Sequence, residues 1–205
     1  CGRCARISGP KGNVTVRIVD KCPECLTGDL DLHQSAFAQL ADVALGRVKM
    51  SWQFVPCSSG NGVTGNAQFK FKDGVNDFWV AIQARNHAIA VSKIQIAETG
   101  SATASTVFED MVRQDYNYFV RSYSSGIKKP FTVRLVADDG QTIDTVVNAF
   151  TASEVKQTSK QFSTPIINPT SSTKQPTVGT AAMTMQNGAL AVIATVVLLL
   201  IATFV

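Results

Sequence analysis

The sequence predicts an all-β protein with two folded parts, followed by a polar segment and an apolar end. Two observations carry this prediction. Apolar and polar residues alternate over many short runs, which is the pattern of half-buried strands. Turn-forming residues separate these runs, as Asp139-Gly140 does between two of them. Helical spacing is clear only over Ser35–Ala44, and 205 residues suffice for one large or two small domains.

The first predicted folded part, residues 1–57, is β-rich with one short helix. Gly46 follows the helical pattern and is a residue type that ends helices. The predicted elements are a strand at Val14–Ile18, a short extended piece at Leu30–Leu32, a helix at Ser35–Ala44 and a strand at Val48–Phe54.

A Ser- and Gly-rich stretch, residues 58–65, predicts a linker to a second folded part at residues 66–150. Short strands joined by turns, over a length typical of immunoglobulin-like units, predict a β-sandwich. The strands are expected around Phe69 and Phe71, over Phe78–Arg85, around Ile94 and Ile96, and as a hairpin within Phe131–Val147.

The last two segments differ sharply in composition. Residues 151–187 are rich in Ser, Thr, Lys, Gln and Pro, which predicts a disordered, O-glycosylated stalk. Residues 188–205 carry no charge and predict a hydrophobic helix. Small residues, a polar spacer and such a tail are typical of a lipid-anchor signal, which we favour over a membrane-spanning tail. Since this tail implies the secretory route, we expect the chain to lack its natural start.

The charge of the chain excludes few partners. The net charge is +4 and the sequence pI is near 8.9, with the basic residues spread along the chain. No Lys/Arg run marks a nucleic-acid arm, so no nucleic-acid partner is predicted. Asn13-Val-Thr15 is an N-glycosylation acceptor motif inside the first predicted strand.

The cysteines leave two interpretations open. Cys1-Gly-Arg-Cys4 and Cys22-Pro-Glu-Cys25 have the spacing of a four-cysteine zinc site. A fifth cysteine, Cys57, closes the same folded part, and the tail implies an oxidising compartment in which cysteines pair as disulfides. Disulfides are therefore favoured, and no metal or other cofactor is predicted.

Two aspartates, Asp20 and Asp31, stand at the two ends of the Cys-, Pro- and Gly-rich turn. Paired carboxylates on a rigid scaffold are what glycoside chemistry uses, one as an acid and one as a base. From the residues alone, the simpler interpretation is favoured, in which both are turn residues.

Aromatic residues of the second part suggest a sugar-binding surface. Phe78 and Trp79 are adjacent, so strand alternation puts Phe78 in the core and Trp79 outside. An exposed Trp can stack on a pyranose ring, Tyr116 can extend that surface, and Lys72 can add a hydrogen bond to a sugar hydroxyl. The alternative is that Trp79 is a partly exposed packing residue.

Several motifs together resemble one family, the expansins. Those of the first part are similar to the later portion of the expansin first domain, a six-stranded double-psi β-barrel. Those of the second part are similar to the cellulose-binding β-sandwich that follows it. The motifs are Cys1-Gly-x-Cys4, Val19-Asp-Lys-Cys-Pro-x-Cys25, Gly28-Asp-Leu-Asp-Leu32, Gly46-Arg-Val-x-Met-x-Trp-x-Phe-Val-Pro-Cys57, Phe78-Trp-Val-Ala-Ile-Gln-x-Arg-Asn-His87 and Asp115-Tyr116.

The resemblance implies roles for the two aspartates. Asp31 matches the key aspartate of the family, which serves as general acid in related endoglucanases, and Asp20 matches its other groove aspartate. Cys22 stands where some members carry a groove tyrosine, so that contact is expected to be absent. The first part of the barrel is also missing from the pattern, so residues 1–57 are expected to form a barrel that cannot close alone.

The resemblance also assigns an aromatic platform, which we define as Phe78, Trp79, Tyr116 and the neighbouring Lys72. Trp79 and Tyr116 match two of the three platform aromatics, and Phe78 falls on the third. That last assignment conflicts with the alternation pattern, which places Phe78 in the core.

The disulfides that the resemblance implies are Cys4–Cys57 and Cys22–Cys25, with Cys1 pairing to an upstream segment. The implied function is non-hydrolytic loosening of plant or microbial cell walls by a monomeric protein of the microbial kind, tethered outside the cell. The implied partners are cellulose, xyloglucan or another β-glucan. Two alternatives stay open: a glycoside hydrolase related to inverting endoglucanases, and a wall-binding surface protein without loosening activity.

Overall fold

The computed structural model describes residues 1–100, 102–164, 177–184 and 201–204. The elements up to the first linker are β1 Cys4–Gly9, β2 Gly12–Asp20, β3 Leu30–His33, α1 Gln34–Leu40, a 3-10 turn at Val43–Leu45, β4 Arg47–Val55 and a second 3-10 turn at Ser59–Asn61. The remaining strands are β5 Gln68–Phe71, β6 Trp79–Arg85, β7 Val91–Ala97, β8 Glu109–Asp110, β9 Val112–Arg113, β10 Phe119–Ser122, β11 Phe131–Ala137, β12 Thr142–Val147, β13 Val155–Gln157, β14 Thr177–Thr184 and β15 Ile201–Phe204.

The chain divides into two units. One contains Arg3–Gly62 together with the described residues of Pro165–Val205, and the other contains Val63–Thr164. The first unit is a closed barrel with the strand order β1-β2-β15-β3-β14-β4. Alternate residues of its strands point inward because a strand has a period of two, and they form one apolar core. The largest fully buried side chains of this core are Ile7, Leu30, Leu32, Phe37 and Leu40.

Two strands of the barrel come from segments for which no strand is predicted. β14 lies in the predicted stalk, and β15 lies in the predicted hydrophobic helix, of which residues 201–204 are therefore extended. Residues 165–176, 185–200 and 205, which complete the predicted stalk and tail, lie outside the described residues. β14 pairs with β3 and β4, and β15 pairs with β2 and β3. The four strands of residues 1–57 thus close only with these two additional strands.

The single α-helix is shorter than its sequence pattern predicts. Its N-cap is His33, whose side chain accepts a hydrogen bond from the backbone N–H of Ser35. The helix ends at Leu40, and a separate 3-10 turn follows, capped by the side chain of Asp42. Gly46, with φ of 62°, ends this turn rather than the helix. Apolar residues recur with helical spacing across both α1 and this turn, so the sequence predicts a single helix.

The second unit is a β-sandwich, as predicted. One sheet has the order β13-β5-β6-β10-β9, and the other has the order β12-β11-β7-β8. The inner faces share one apolar core, whose largest fully buried side chains are Phe69, Phe71, Ile82, Ile94, Ile96, Phe131 and Leu135. The Asp139-Gly140 hairpin joins β11 to β12, and Gly140 takes the left-handed conformation with φ of 86°.

The sandwich continues past residue 150, where its predicted boundary lies. β13 pairs with β5, and the hydroxyl of Thr158 donates a hydrogen bond of 2.9 Å to the carbonyl of Ala67. Phe162 is 3% exposed and belongs to the sandwich core. The start of the polar segment is therefore folded onto the sandwich, because its few apolar residues complete the core.

Candidate functional site

The outer face of the five-stranded sheet carries the residues of the aromatic platform. On β6, Val80 and Ile82 point into the core, so Trp79 and Gln83 point outward by alternation. Lys72 follows β5 directly, and its backbone N–H donates to the carbonyl of Ala81 over 3.0 Å. The pairing of β5 with β6 therefore brings Lys72 to the same face as Trp79.

Phe78 lies in the turn that precedes β6, not in the core. The side-chain oxygen of Asn76 accepts hydrogen bonds from the backbone N–H groups of Phe78 (2.9 Å) and Trp79 (3.1 Å). Strand alternation does not extend into this turn, and Phe78 is 57% exposed. The prediction that Phe78 belongs to the core is therefore wrong, and its exposure agrees with the position that the family resemblance implies.

Tyr116 stands at the tip of the turn between β9 and β10. The turn is closed by a hydrogen bond of 2.9 Å from the N–H of Asn117 to the carbonyl of Gln114. Asn117 has φ of 60°, a left-handed conformation that Asn tolerates better than most residues. Tyr116 is 52% exposed as a result. The Nζ atom of Lys72 lies 6.0 Å from the centroid of its ring, at the limit of a cation–π contact.

Tyr118 is a member of this surface that the sequence interpretation missed. Its ring centroid lies 5.9 Å from Nζ of Lys72 and 6.0 Å from the ring centroid of Tyr116. Burial raises the pKa of the Tyr118 hydroxyl, Asp73 adds to this rise, and Arg85 opposes it. No strand pattern could have indicated Tyr118, because Tyr116 and Tyr118 both precede β10 and Asn117 between them has the left-handed conformation, so strand alternation does not apply.

Asp20 and Asp31 lie at the same level of the barrel. Asp20 ends β2 and Asp31 lies in β3, and both pair in register with Thr203 of the intervening β15. Since neighbouring strands are about 4.8 Å apart, the two aspartate backbones are separated by roughly 10 Å. The register, which shifts between Ala202 and Thr203, therefore brings the backbones of Asp20 and Asp31 to the same level of the barrel, although they are 11 positions apart in the sequence.

The two aspartates differ in surroundings. Asp20 is exposed and accepts a hydrogen bond of 2.8 Å from the backbone N–H of Lys21. Asp31 is half-buried, and its neighbours Leu30 and Leu32 fill the barrel core. Strand alternation therefore directs Asp31 away from that core.

A third carboxylate, Asp29, has a structural partner. Its Oδ1 accepts a hydrogen bond of 2.7 Å from the backbone N–H of Thr180 on β14. This hydrogen bond, more than the nearby charge of Arg47, holds the pKa of Asp29 below its ordinary value. Asp29 thus fastens β14 to the turn before β3.

The structure contains the two disulfides that the resemblance implies, Cys4–Cys57 and Cys22–Cys25. They use three of the four cysteines that the zinc interpretation requires. In the part of the chain that the structure describes, no cluster of His, Cys, Asp or Glu side chains could hold a metal ion. The same residues include no helix that is long and apolar enough to cross a membrane.

Comparisons with known proteins agree with this architecture. Residues 63–163 match the expansin-like protein middle domain. The chain is 34% identical over 119 residues to Expansin-YoaJ of Bacillus subtilis, which covers 58% of this chain and 47% of that protein. It is 31% identical over 169 residues to Expansin-like protein 5 of Dictyostelium discoideum, which covers 80% of this chain and 66% of that protein.

Solved structures show the same likeness. The apo crystal structure of Clavibacter michiganensis expansin matches with a TM-score of 0.65 and 26% identity, over 78% of this chain and 74% of that one. A mutant of that expansin in complex with cellohexaose matches with a TM-score of 0.66 and 25% identity, over the same shares of the two chains.

A disulfide-bonded barrel and a sandwich with an exposed aromatic face define a two-unit protein of the expansin type. The chain belongs to the expansin and expansin-like family. As a family, expansins act on extracellular cell walls and are generally non-enzymatic. The chain spans about half the length of the Bacillus relative.

Proposed function

We propose that this protein binds cellulose or a related β-glucan and loosens cell walls without hydrolysis. The observation that carries the proposal is the exposed platform: Phe78 and Tyr116 are each more than half exposed, and Trp79 and Lys72 lie on the same sheet face. Apolar side chains held at a surface by turns and strands suit the flat apolar faces of pyranose rings. The structural relative in complex with cellohexaose supports the same ligand class.

In the barrel, Asp20 and Asp31 hold a glucan chain and help it to slip from its neighbours. Hydrolysis needs a general acid together with a second carboxylate in a set relation to it. Asp29 is already engaged with the backbone of β14, so Asp20 is the remaining candidate for that second group. The non-hydrolytic proposal nevertheless assigns Asp31 a binding role, and an assay for new reducing ends distinguishes this role from bond cleavage.

The proposed setting is the outside of a microbial cell. The protein is secreted and acts as a monomer. A lipid anchor or a membrane-spanning tail at residues 188–205 would hold it at the surface, but anchoring would take β15 out of the barrel, so the anchored form and the six-stranded closed barrel exclude each other. Its targets are cellulose, xyloglucan or another wall β-glucan. The disulfides support this setting, since disulfides persist in oxidising compartments.

A cellulose pull-down of the wild type and Trp79→Ala tests the binding proposal. We expect the variant to be retained much less than the wild type, while Val107→Ala, an exposed residue that precedes β8 of the other sheet, is retained normally. Equal retention of wild type and Trp79→Ala would remove the platform from the proposal. Extension of wall strips under constant load then separates a loosening protein from one that only binds.

A second candidate function is glycoside hydrolysis, favoured by the register that sets Asp20 and Asp31 on either side of one strand. It predicts that soluble glucan yields new reducing ends and that Asp31→Asn abolishes them. Under the non-hydrolytic proposal no reducing ends form, and Asp31→Asn instead reduces wall extension without reducing cellulose retention.

A further inference from the structure

The outer surface of the barrel bears a polar face that the proposed function does not use. Strands β1, β2 and β4 are neighbours, and the outward residues of β1 align with those of both other strands. Ser8 lies opposite Asn13 on one side and Ser51 on the other. Arg6 lies opposite Thr15 and Gln53 in the same way. The residues that point inward from these strands are apolar and buried.

Asn13 stands at an accessible place on this face. It is the second residue of β2, directly after the turn at Pro10–Lys11, and its side chain is exposed. Val14 and Val16 point into the core, so Asn13 and Thr15 both point outward. The side-chain amide of Asn13 and the hydroxyl of Thr15 therefore lie on the same outer side of β2, although the motif is inside a regular strand.

We propose that Asn13 is an N-glycosylation site, and this inference rests on the proposed secretion of the protein. The motif Asn13-Val-Thr15 has the acceptor pattern, whereas Asn168-Pro-Thr170 is excluded by its proline. No other Asn in the sequence is followed two positions later by Ser or Thr. Modification is thus expected at a single position.

The chemistry is the transfer of an oligosaccharide from a lipid pyrophosphate donor to the amide of Asn13. A bond forms between Nδ2 of Asn13 and C1 of the first sugar, and the bond from C1 to the lipid pyrophosphate breaks. The lipid pyrophosphate is the leaving group, and the amide loses one proton to the transferase. The product is neutral at Asn13, so the charge of the barrel face does not change.

The surface beside Asn13 can accept the attached sugar. A depression of about 190 Å³ lies there, open to solvent. Hydroxyl, amide and guanidinium groups at its edge can hydrogen-bond to sugar hydroxyls. Its lining residues are Arg6, Ser8, Asn13, Ser51, Trp52 and Gln53. A first sugar on Asn13 would therefore rest on a polar surface and displace no part of the core.

The test is mass spectrometry of the full chain secreted by a eukaryotic host that glycosylates proteins. Trypsin cleaves after Lys11 and after Arg17, and so releases the motif in the peptide of residues 12–17. Treatment with peptide N-glycosidase in heavy-oxygen water converts a glycosylated Asn13 to labelled aspartate. We expect labelled peptide from the wild type and from Thr15→Ser, and unlabelled peptide from Thr15→Ala.

Recovery of unlabelled Asn13 from secreted wild-type protein would overturn the inference, as would labelling that survives Thr15→Ala. Cellulose retention measured on the same samples keeps the two proposals apart. If Asn13 of the wild type becomes labelled but the protein is not retained on cellulose, cellulose binding is refuted and the glycan at Asn13 stands. If the protein is retained but Asn13 is not labelled, only the glycan is refuted. Asn13→Gln is expected to bind cellulose as the wild type does.

Discussion

Phe78→Ala is the sharpest test of the aromatic platform. Phe78 lies in a turn and is 57% exposed, so its removal takes away contact area without opening a cavity in the core. Trp79 is half-buried, and its loss removes packing as well as surface. A change in cellulose affinity on substitution of Phe78 therefore reports contact with the ligand rather than damage to the sandwich.

The expected magnitude follows from the exposed area. A Phe side chain can bury about 200 Å² when it is fully covered. At 57% exposure, roughly 110 Å² of it faces solvent, and a flat ligand covers about half of that. At about 25 cal/mol per Å², the loss is roughly 1.4 kcal/mol, or about tenfold in Kd. The unfolding free energy should change by less than about 0.5 kcal/mol, as for other exposed substitutions.

The assay is a depletion isotherm on microcrystalline cellulose, with urea unfolding measured on the same preparations. Val107→Ala serves as the matched control, because Val107 is 80% exposed and precedes β8 of the other sheet. We expect this control to bind as the wild type does. An affinity of Phe78→Ala within about twofold of the wild type, a difference of only about 0.4 kcal/mol, would refute the platform assignment of this residue.

Three further predictions concern stability, and urea unfolding measures each of them. Burial raises the pKa of Tyr123 from 10.0 to about 12, so the sandwich should lose stability as the pH rises through that window, and Tyr123→Phe should lose less. The pKa of Asp29 is lowered from its ordinary value of 3.8, so the ionised carboxylate stabilises the barrel at pH values above 3.8. This contribution should disappear as the pH falls through the lowered pKa. Asp29→Asn should therefore be less stable near neutrality and less sensitive to acid. A Cβ on Gly179 would lie 2.0 Å from the carbonyl oxygen of Gly28, so Gly179→Ala should cost at least about 2 kcal/mol, while Gly60→Ala, whose Cβ would meet only Oγ of Ser58 at 4.0 Å, should cost less.

Regular strands were predictable from the sequence because each of them alternates over several residues. β2, β4, β6 and the β11–β12 hairpin all have this pattern, and all are present. β1, β10 and β13 are missing from the prediction, and so are β8 and β9, whose two residues each are too few to show a period. Such strands are defined by their partners, and pairing between distant segments is not visible in a local pattern.

The two additional barrel strands were missed for a different reason. The segment of β14 has the composition of a linker, yet its small residues suit the position that it occupies. Ala181 is fully buried, and Gly179 approaches the backbone of Gly28 so closely that no side chain fits. The average composition of the segment does not show such features, because each of them concerns a single position in the barrel.

The candidate site shows the same division. Trp79 and Lys72 could be assigned to one face by alternation, because both lie on or beside regular strands. Phe78 could not be assigned in this way, because it lies in a turn before β6 that is held by hydrogen bonds to the Asn76 side chain. Tyr118 was missed because its contact with Lys72 depends on the pairing of β5, β6 and β10, which joins residues 46 positions apart.

The two surfaces differ in the kind of free energy that they can supply. Exposed rings on the sandwich offer apolar area, which favours contact with any flat glucan surface and depends little on pH or salt. The barrel aspartates offer charge and hydrogen-bond acceptors, which are specific in direction but contribute little net affinity in water. Affinity for cellulose should therefore follow the platform, and any action on a single glucan chain should follow Asp20 and Asp31. Because the two sets of residues lie in different units, variants can remove one property and leave the other.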